Sequence, residues 1–124
     1  MQSNLTGIII DDDHDEAEIL SLFLEIKGHD VVGKGHNGYD AVTLYKENKP
    51  DFVILGVNMS QYDGTRAIIE IKKINSDANI FVLTDSKFKN FEIDVNAVLS
   101  KPCDLYEILE SIEMNCSVHY PSFE

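Results

Sequence analysis

The chain has no tryptophan, two cysteines, three prolines and only ten basic residues among 124. Each shortage removes a class of protein. Ten Lys and Arg against 22 Asp and Glu leave a net charge of −12. A nucleic-acid binder needs a basic footprint, so no direct nucleic-acid partner is expected. An anionic membrane surface is disfavoured on the same ground. Cys103 and Cys116 have no CxxC spacing, which argues against a thiolate metal site or a thioredoxin-type site. They read as free thiols in a reducing compartment. No apolar run approaches the roughly 18 residues of a membrane span. The opening Met1-Gln2-Ser3-Asn4-Leu5 lacks the basic start of a secretory signal. Together these absences predict an acidic, cytoplasmic, soluble protein.

What is present is a regular alternation of short β-branched runs with amphipathic stretches. A buried strand is expected over 7–10. A helix follows over 13–27, with Ile19, Leu20, Phe23 and Ile26 on its buried face and Gly28 as its stop. Val31-Val32 reads as a brief strand. A second helix over 38–48 buries Ala41, Val42 and Tyr45, and Pro50 prevents its continuation. The most hydrophobic strand spans 51–55. Asp63-Gly64 marks a turn, and a third helix over 65–74 carries Ala67, Ile68, Ile71 and Ile74 at helical spacing. Strands at 80–83 and 97–99 follow. The last helix, over 104–115, has Leu105, Ile108, Leu109 and Ile112 on one face, and Asp104 with Glu107 resembles a capping box. The segment 85–96 has little period and reads as one or two helical turns or a loop.

Strands without apolar–polar alternation are covered on both faces. Five β/α pairs then predict an α/β, doubly wound (βα)5 three-layer sandwich around a five-stranded parallel sheet, of flavodoxin-like topology. One domain is expected over 1–124, with a core of about 5–116 and a C-terminal tail at 117–124.

The polar residues of interest follow the strand ends. Asp11 and Asp12 follow Ile8-Ile9-Ile10, Gly56 follows Leu55, Thr84 follows Leu83, and Lys101-Pro102 follows Leu99. The carboxyl edge is where an open parallel sheet places its chemistry. The motifs are Ile-Ile-Ile-Asp-Asp-Asp at 8–13, Pro-Asp-Phe-Val-Ile-Leu-Gly-Val-Asn-Met at 50–59, Asp63-Gly64, Val-Leu-Thr at 82–84 and Leu-Ser-Lys-Pro at 99–102. In this order and spacing they resemble a response-regulator receiver domain of the CheY-like family, over about residues 5–116.

The resemblance implies a non-enzymatic module of two-component, phosphorelay signalling. Its partner would be a histidine kinase or a downstream signalling protein, and a homodimer is compatible with it. In that family an Asp at the position of Gly56 accepts phosphate. Asp11 and Asp12 would hold Mg²⁺, with the backbone carbonyl of Asn58 completing the protein ligands. Lys101 would contact the phosphoryl oxygens, and Thr84 would hydrogen-bond the phosphate. A cation, an ammonium and a hydroxyl are what spreading phosphoryl charge requires.

The chain departs from the family pattern at five places. Gly56 has no side chain to phosphorylate. Ser60 stands where proline is usual, and Asp85 where a small residue is preferred. Val98 replaces a common aromatic switch residue, and the stretch from Thr84 to Lys101 is shortened. Read together, they describe a pseudo-receiver that is not phosphorylated at the usual site and acts through protein–protein contacts. The alternatives are a conventional phospho-accepting receiver whose acceptor Asp was replaced at 56, and a Mg²⁺-dependent phosphohydrolase. The last needs a nucleophile and substrate pocket of its own, and the sequence offers neither.

Several residues have two readings. Without a third carboxylate, Asp11 and Asp12 make a weak Mg²⁺ site, which Asp85 could complete or, as a solvated loop acid, leave alone. Lys101 could pair with Asp11 or Asp12 as a structural ion pair. Asp63, Ser60 and Asp13 are surrogate acceptor candidates, or simply turn, loop and helix-start residues. His14 is either a metal ligand or a solvated residue at a helix start.

Overall fold

The structure, a computed structural model, describes residues 4–56, 62–84 and 94–116. Among the described residues the strands are β1 (Thr6–Asp11), β2 (Asp30–Gly35), β3 (Phe52–Gly56), β4 (Ile80–Thr84) and β5 (Ala97–Ser100). They pair in parallel in the order β2-β1-β3-β4-β5. Among the described residues the helices are α1 (His14–Ile26), α2 (Gly38–Asn48), α3 (Tyr62–Ile74) and α4 (Leu105–Asn115). This order, with its reversal beside β1, is that of the doubly wound α/β sandwich expected from the sequence. The segment read as a short helix or loop lies mainly in 85–93, outside the described residues.

Alternate side chains of each central strand feed two separate cores, as the pleat dictates. Ile8, Ile10, Val53, Leu55, Ile80 and Val82 pack with Ala41, Tyr45, Ala67, Ile68 and Ile71 of α2 and α3. Ile9, Ile54, Phe81 and Leu83 face the other way, onto Ala17, Leu20 and Leu24 of α1 and Ile108, Leu109 and Ile112 of α4. The sheet is therefore the middle of three layers. At one point it closes tightly: a Cβ on Gly7 would lie 2.1 Å from the Phe52 ring.

Helix starts follow local chemistry. Asp13 accepts the backbone N–H groups of Asp15 and Glu16, Asn37 accepts that of Asp40, and Asp104 accepts that of Tyr106. Each side chain satisfies donors that a first helical turn leaves unpaired. Gly28, with φ of 94°, supplies the left-handed residue that ends the α1 region.

Three expectations need correction. Ile19 and Ile26 are not core: they are 58% and 70% exposed. The buried face of α1 is Ala17, Leu20, Ser21 and Leu24, at i, i+3, i+4 and i+7. Small Ala17 and Ser21 let the helix settle on the sheet, so the bulkier Ile residues turn outward. Asp63 and Gly64 lie in the first turn of α3 rather than in a separate turn. Ile74, at the last position of α3, is 39% exposed.

His29 joins the beginning and end of the described chain. It is 2% exposed, its Nδ1 accepts the Leu5 N–H at 3.1 Å, and its Nε2 lies 2.7 Å from Glu113 Oε2. Because Nδ1 accepts, a neutral ring carries its proton on Nε2 and donates to Glu113.

Candidate functional site at the carboxyl edge of the sheet

The ladder fixes the site. Asp11, the last residue of β1, stands opposite Gly56, the last of β3. Thr84, the last of β4, stands opposite Ser100, the last of β5. The Lys101 N–H then donates to the Thr84 carbonyl at 2.8 Å. Four sequence segments thus deliver Asp11, Gly56, Thr84 and Lys101 to one edge, by backbone pairing alone.

Asp11 is 3% exposed and Thr84 is 5% exposed, whereas Asp12 is exposed. Asp11 Oδ1 accepts the Asp13 N–H at 2.9 Å. Its Oδ2 lies 3.5 Å from Lys101 Nζ. The pairing of Lys101 with a carboxylate is therefore made with Asp11. A second carboxylate was not anticipated: Glu16 Oε2 accepts from Lys101 Nζ at 3.2 Å. The signal available in the sequence was an acid three residues after the N-cap Asp13, on the turn of α1 nearest Asp11.

Burial raises the Asp11 carboxyl above its ordinary value. The Asp13 N–H and Lys101 oppose that rise, and Glu16 adds to it. Burial also pulls the Lys101 ammonium downward, but Asp11 and Glu16 outweigh it and leave Lys101 raised. The lysine is thus held as a cation by two acids, one of them nearly enclosed.

Gly56 is buried beside this pair. A Cβ there would stand 2.9 Å from Asp11 Oδ2, 3.1 Å from Asp11 Cγ and 3.3 Å from the Ile10 carbonyl oxygen. The space for a side chain at 56 is taken up by the Asp11 carboxylate. Beside it runs an open groove of about 260 Å³, lined by Glu16 and Lys101 together with Ile19, Leu20, Leu105 and Ile108. A larger hollow, about 440 Å³, lies at the opposite edge of the sheet around Tyr45, Lys49 and Asn75, away from these residues.

Other expected site residues fall elsewhere. Asn58, Ser60 and Asp85 lie outside the described residues. Val98 on β5 is 43% exposed. His14 is exposed, its ring 6.5 Å from that of His36. Asp13 serves as the α1 cap. Among the described residues no group of three His, Cys, Asp or Glu side chains is disposed to hold a metal.

The fold and this edge define a doubly wound α/β module with an ion-paired site at the carboxyl edge of its sheet, and the match to known proteins is direct. Residues 8–113 match the response regulator receiver domain family, and the chain belongs to that family. It is 31% identical over 110 residues to the chemotaxis protein CheY of Bacillus subtilis (strain 168), covering 85% of this chain and 92% of that protein. It is 39% identical over 75 residues to CheY of Thermotoga maritima, covering 60% and 62%. A LuxR-family two-component response regulator from Aurantimonas sp. SI85-9A1 shares the fold with a TM-score of 0.83 at 24% identity, over 93% of this chain and 86% of that one. The CheX–CheY–BeF3–Mg²⁺ complex of Borrelia burgdorferi includes a chain with a TM-score of 0.79 at 19% identity, over 88% and 87%. Receiver domains are signalling modules of two-component systems that work with kinases and other proteins, and they typically bind Mg²⁺ at the phosphorylation site. No helix among the described residues is long and apolar enough to cross a membrane.

Proposed function

We propose that this receiver passes its signal by protein–protein contact and takes no phosphoryl group at position 56. The observation that carries this reading is Gly56 itself. The position has no nucleophilic side chain, and the Asp11 carboxylate lies 2.9 Å from where its Cβ would stand. Lys101, the group that would otherwise contact phosphoryl oxygens, is engaged by Asp11 and Glu16. Asp11 and Asp12, with the backbone carbonyl of Asn58, make at best a weak Mg²⁺ site. The module is read as non-enzymatic and cytoplasmic, with a histidine kinase or a downstream signalling protein as its partner. The Borrelia burgdorferi complex supports the general mode, since its CheY is paired with CheX.

The test is incubation with acetyl phosphate, or with beryllofluoride, in the presence of Mg²⁺. The expected result is no mass shift and no amide shift around Gly56. A stoichiometric adduct sinks the proposal, and mapping it would show whether Asp63, Ser60 or Asp13 had acted as a surrogate acceptor.

A second reading is a phospho-accepting receiver whose acceptor Asp was replaced at 56. One observation favours it: Gly56 keeps its register opposite Asp11, and the nearest atom in the way belongs to a side chain. Gly56→Asp separates the two. Robust phosphorylation of that variant supports replacement of an acceptor, and persistent inactivity supports the pseudo-receiver.

A further inference from the structure

A site built from clustered carboxylates needs a positive charge, and this one contains its own. Mg²⁺ takes six oxygens in octahedral geometry at ~2.0–2.1 Å, keeps several of them as water, and needs one or two carboxylates with free lone pairs. The described donors fit that demand poorly. Asp11 Oδ1 is committed to the Asp13 N–H at 2.9 Å, and Oδ2 faces the Lys101 ammonium at 3.5 Å. Asp12 points to solvent as an exposed residue. A dication drawn to Asp11 Oδ2 would meet the ammonium across the same oxygen.

Lys101 is not a loose surface lysine. Its side chain is 18% exposed, and its backbone is fixed by the N–H bond to the Thr84 carbonyl. Glu16 supplies the shorter of its two carboxylate contacts, at 3.2 Å. The backbone of Glu16 is held at the helix start, where its N–H donates to Asp13 Oδ1 at 3.2 Å, and its half-exposed side chain reaches Lys101 from there. Gly56 completes the arrangement by leaving the Asp11 carboxylate room to lie over residue 56.

We infer that Lys101 is the resident cation of this site, that Glu16 positions it there, and that the pair keeps divalent metal off Asp11. This deepens the proposed function and rests on it, since a site with no phosphate to receive has no use for an exchangeable metal. Glu16 acts through Lys101 and is a positioning residue.

The experiment is a Mg²⁺ titration without any phosphodonor, read from the amide NMR signals of Asp11, Asp12 and Asp13. Wild type should give no saturable shift at low millimolar Mg²⁺. Lys101→Met keeps the apolar stem and removes the charge, and it should bind Mg²⁺ at least tenfold more tightly. Glu16→Gln gives the sharper reading. Loss of a negative charge by itself weakens cation binding, so tighter binding in Glu16→Gln identifies an action through Lys101. Equal Mg²⁺ affinity in wild type and Lys101→Met overturns the inference, as does tight binding by wild type. Weaker binding by Glu16→Gln overturns the role given to Glu16. None of these results bears on whether an acetyl phosphate adduct forms, so the two proposals fail separately.

Discussion

The carboxylate of Asp11 lies over Gly56, with Oδ2 2.9 Å from the point where a Cβ on residue 56 would stand. Gly56→Ala must therefore displace Asp11 and disturb its contact with Lys101. Overpacking of this kind costs about 1–2 kcal/mol. The cost should fall by about 1 kcal/mol in an Asp11→Ala background, because residues in contact couple. Chemical denaturation of the four members of the cycle measures this, and additive costs would count against the contact.

Gly7 poses the same problem with less relief. Its neighbour is the Phe52 ring, 2.1 Å from a Cβ, and that ring is fully buried between β3 and the α1–α4 layer. Gly7→Ala should destabilise by about 3 kcal/mol. A midpoint in urea unchanged from wild type would show that the ring has somewhere else to go.

The two sides of α1 should respond very differently. Leu24 is fully buried, and Leu24→Ala should cost about 2–5 kcal/mol. Leu22 and Ile26 are 62% and 70% exposed, so Leu22→Ser and Ile26→Ser should each change stability by less than about 0.5 kcal/mol. Thermal melts of the three variants decide it, and comparable losses would place the outward residues in a packed interface.

Both thiols should be sluggish. Burial, and then Asp51, pushes the Cys116 thiol up to about 12. Burial, followed by Glu107 and Asp104, pushes Cys103 up as well. Since the thiolate is the nucleophile, iodoacetamide at pH 8 should modify Cys116 at least ~100-fold more slowly in folded than in urea-unfolded protein. Unfolded Cys116 ionises near 9.0 and folded Cys116 near 12. Between those values the unfolded chain has released more protons, so stability falls as pH rises through that window. Cys116→Ala should flatten that part of the alkaline slope, and an unchanged slope would assign it to other groups.

The central sheet was readable because β1, β3 and β4 are compact, buried apolar runs. The strand-end residues Asp11, Gly56, Thr84 and Lys101 could be placed together for the same reason: parallel strands share one carboxyl edge. The outward turn of Ile19 and Ile26 was not readable. Two faces of α1 carry aliphatic residues, and bulk misled where Ala17 and Ser21 decide the close packing. Glu16 was missed because its partner is 85 residues away and its local pattern is that of an ordinary helix start. Asp63-Gly64 looked like a turn, since the pair suits one, but α3 begins at Tyr62 and includes it. The direction in which Asp11 leans over Gly56 is a property of packing between three segments, and no local pattern encodes it.

The imidazole of His29 has an architectural consequence. Leu5, just before β1, and Glu113, near the end of α4, both bond to it, so entry and exit of the described chain share one corner. That corner lies at the amino edge of the sheet, opposite Asp11 and Lys101. The contact that ties Leu5 to Glu113 therefore stands at the far end of the sheet from the ion pair of Asp11 and Lys101.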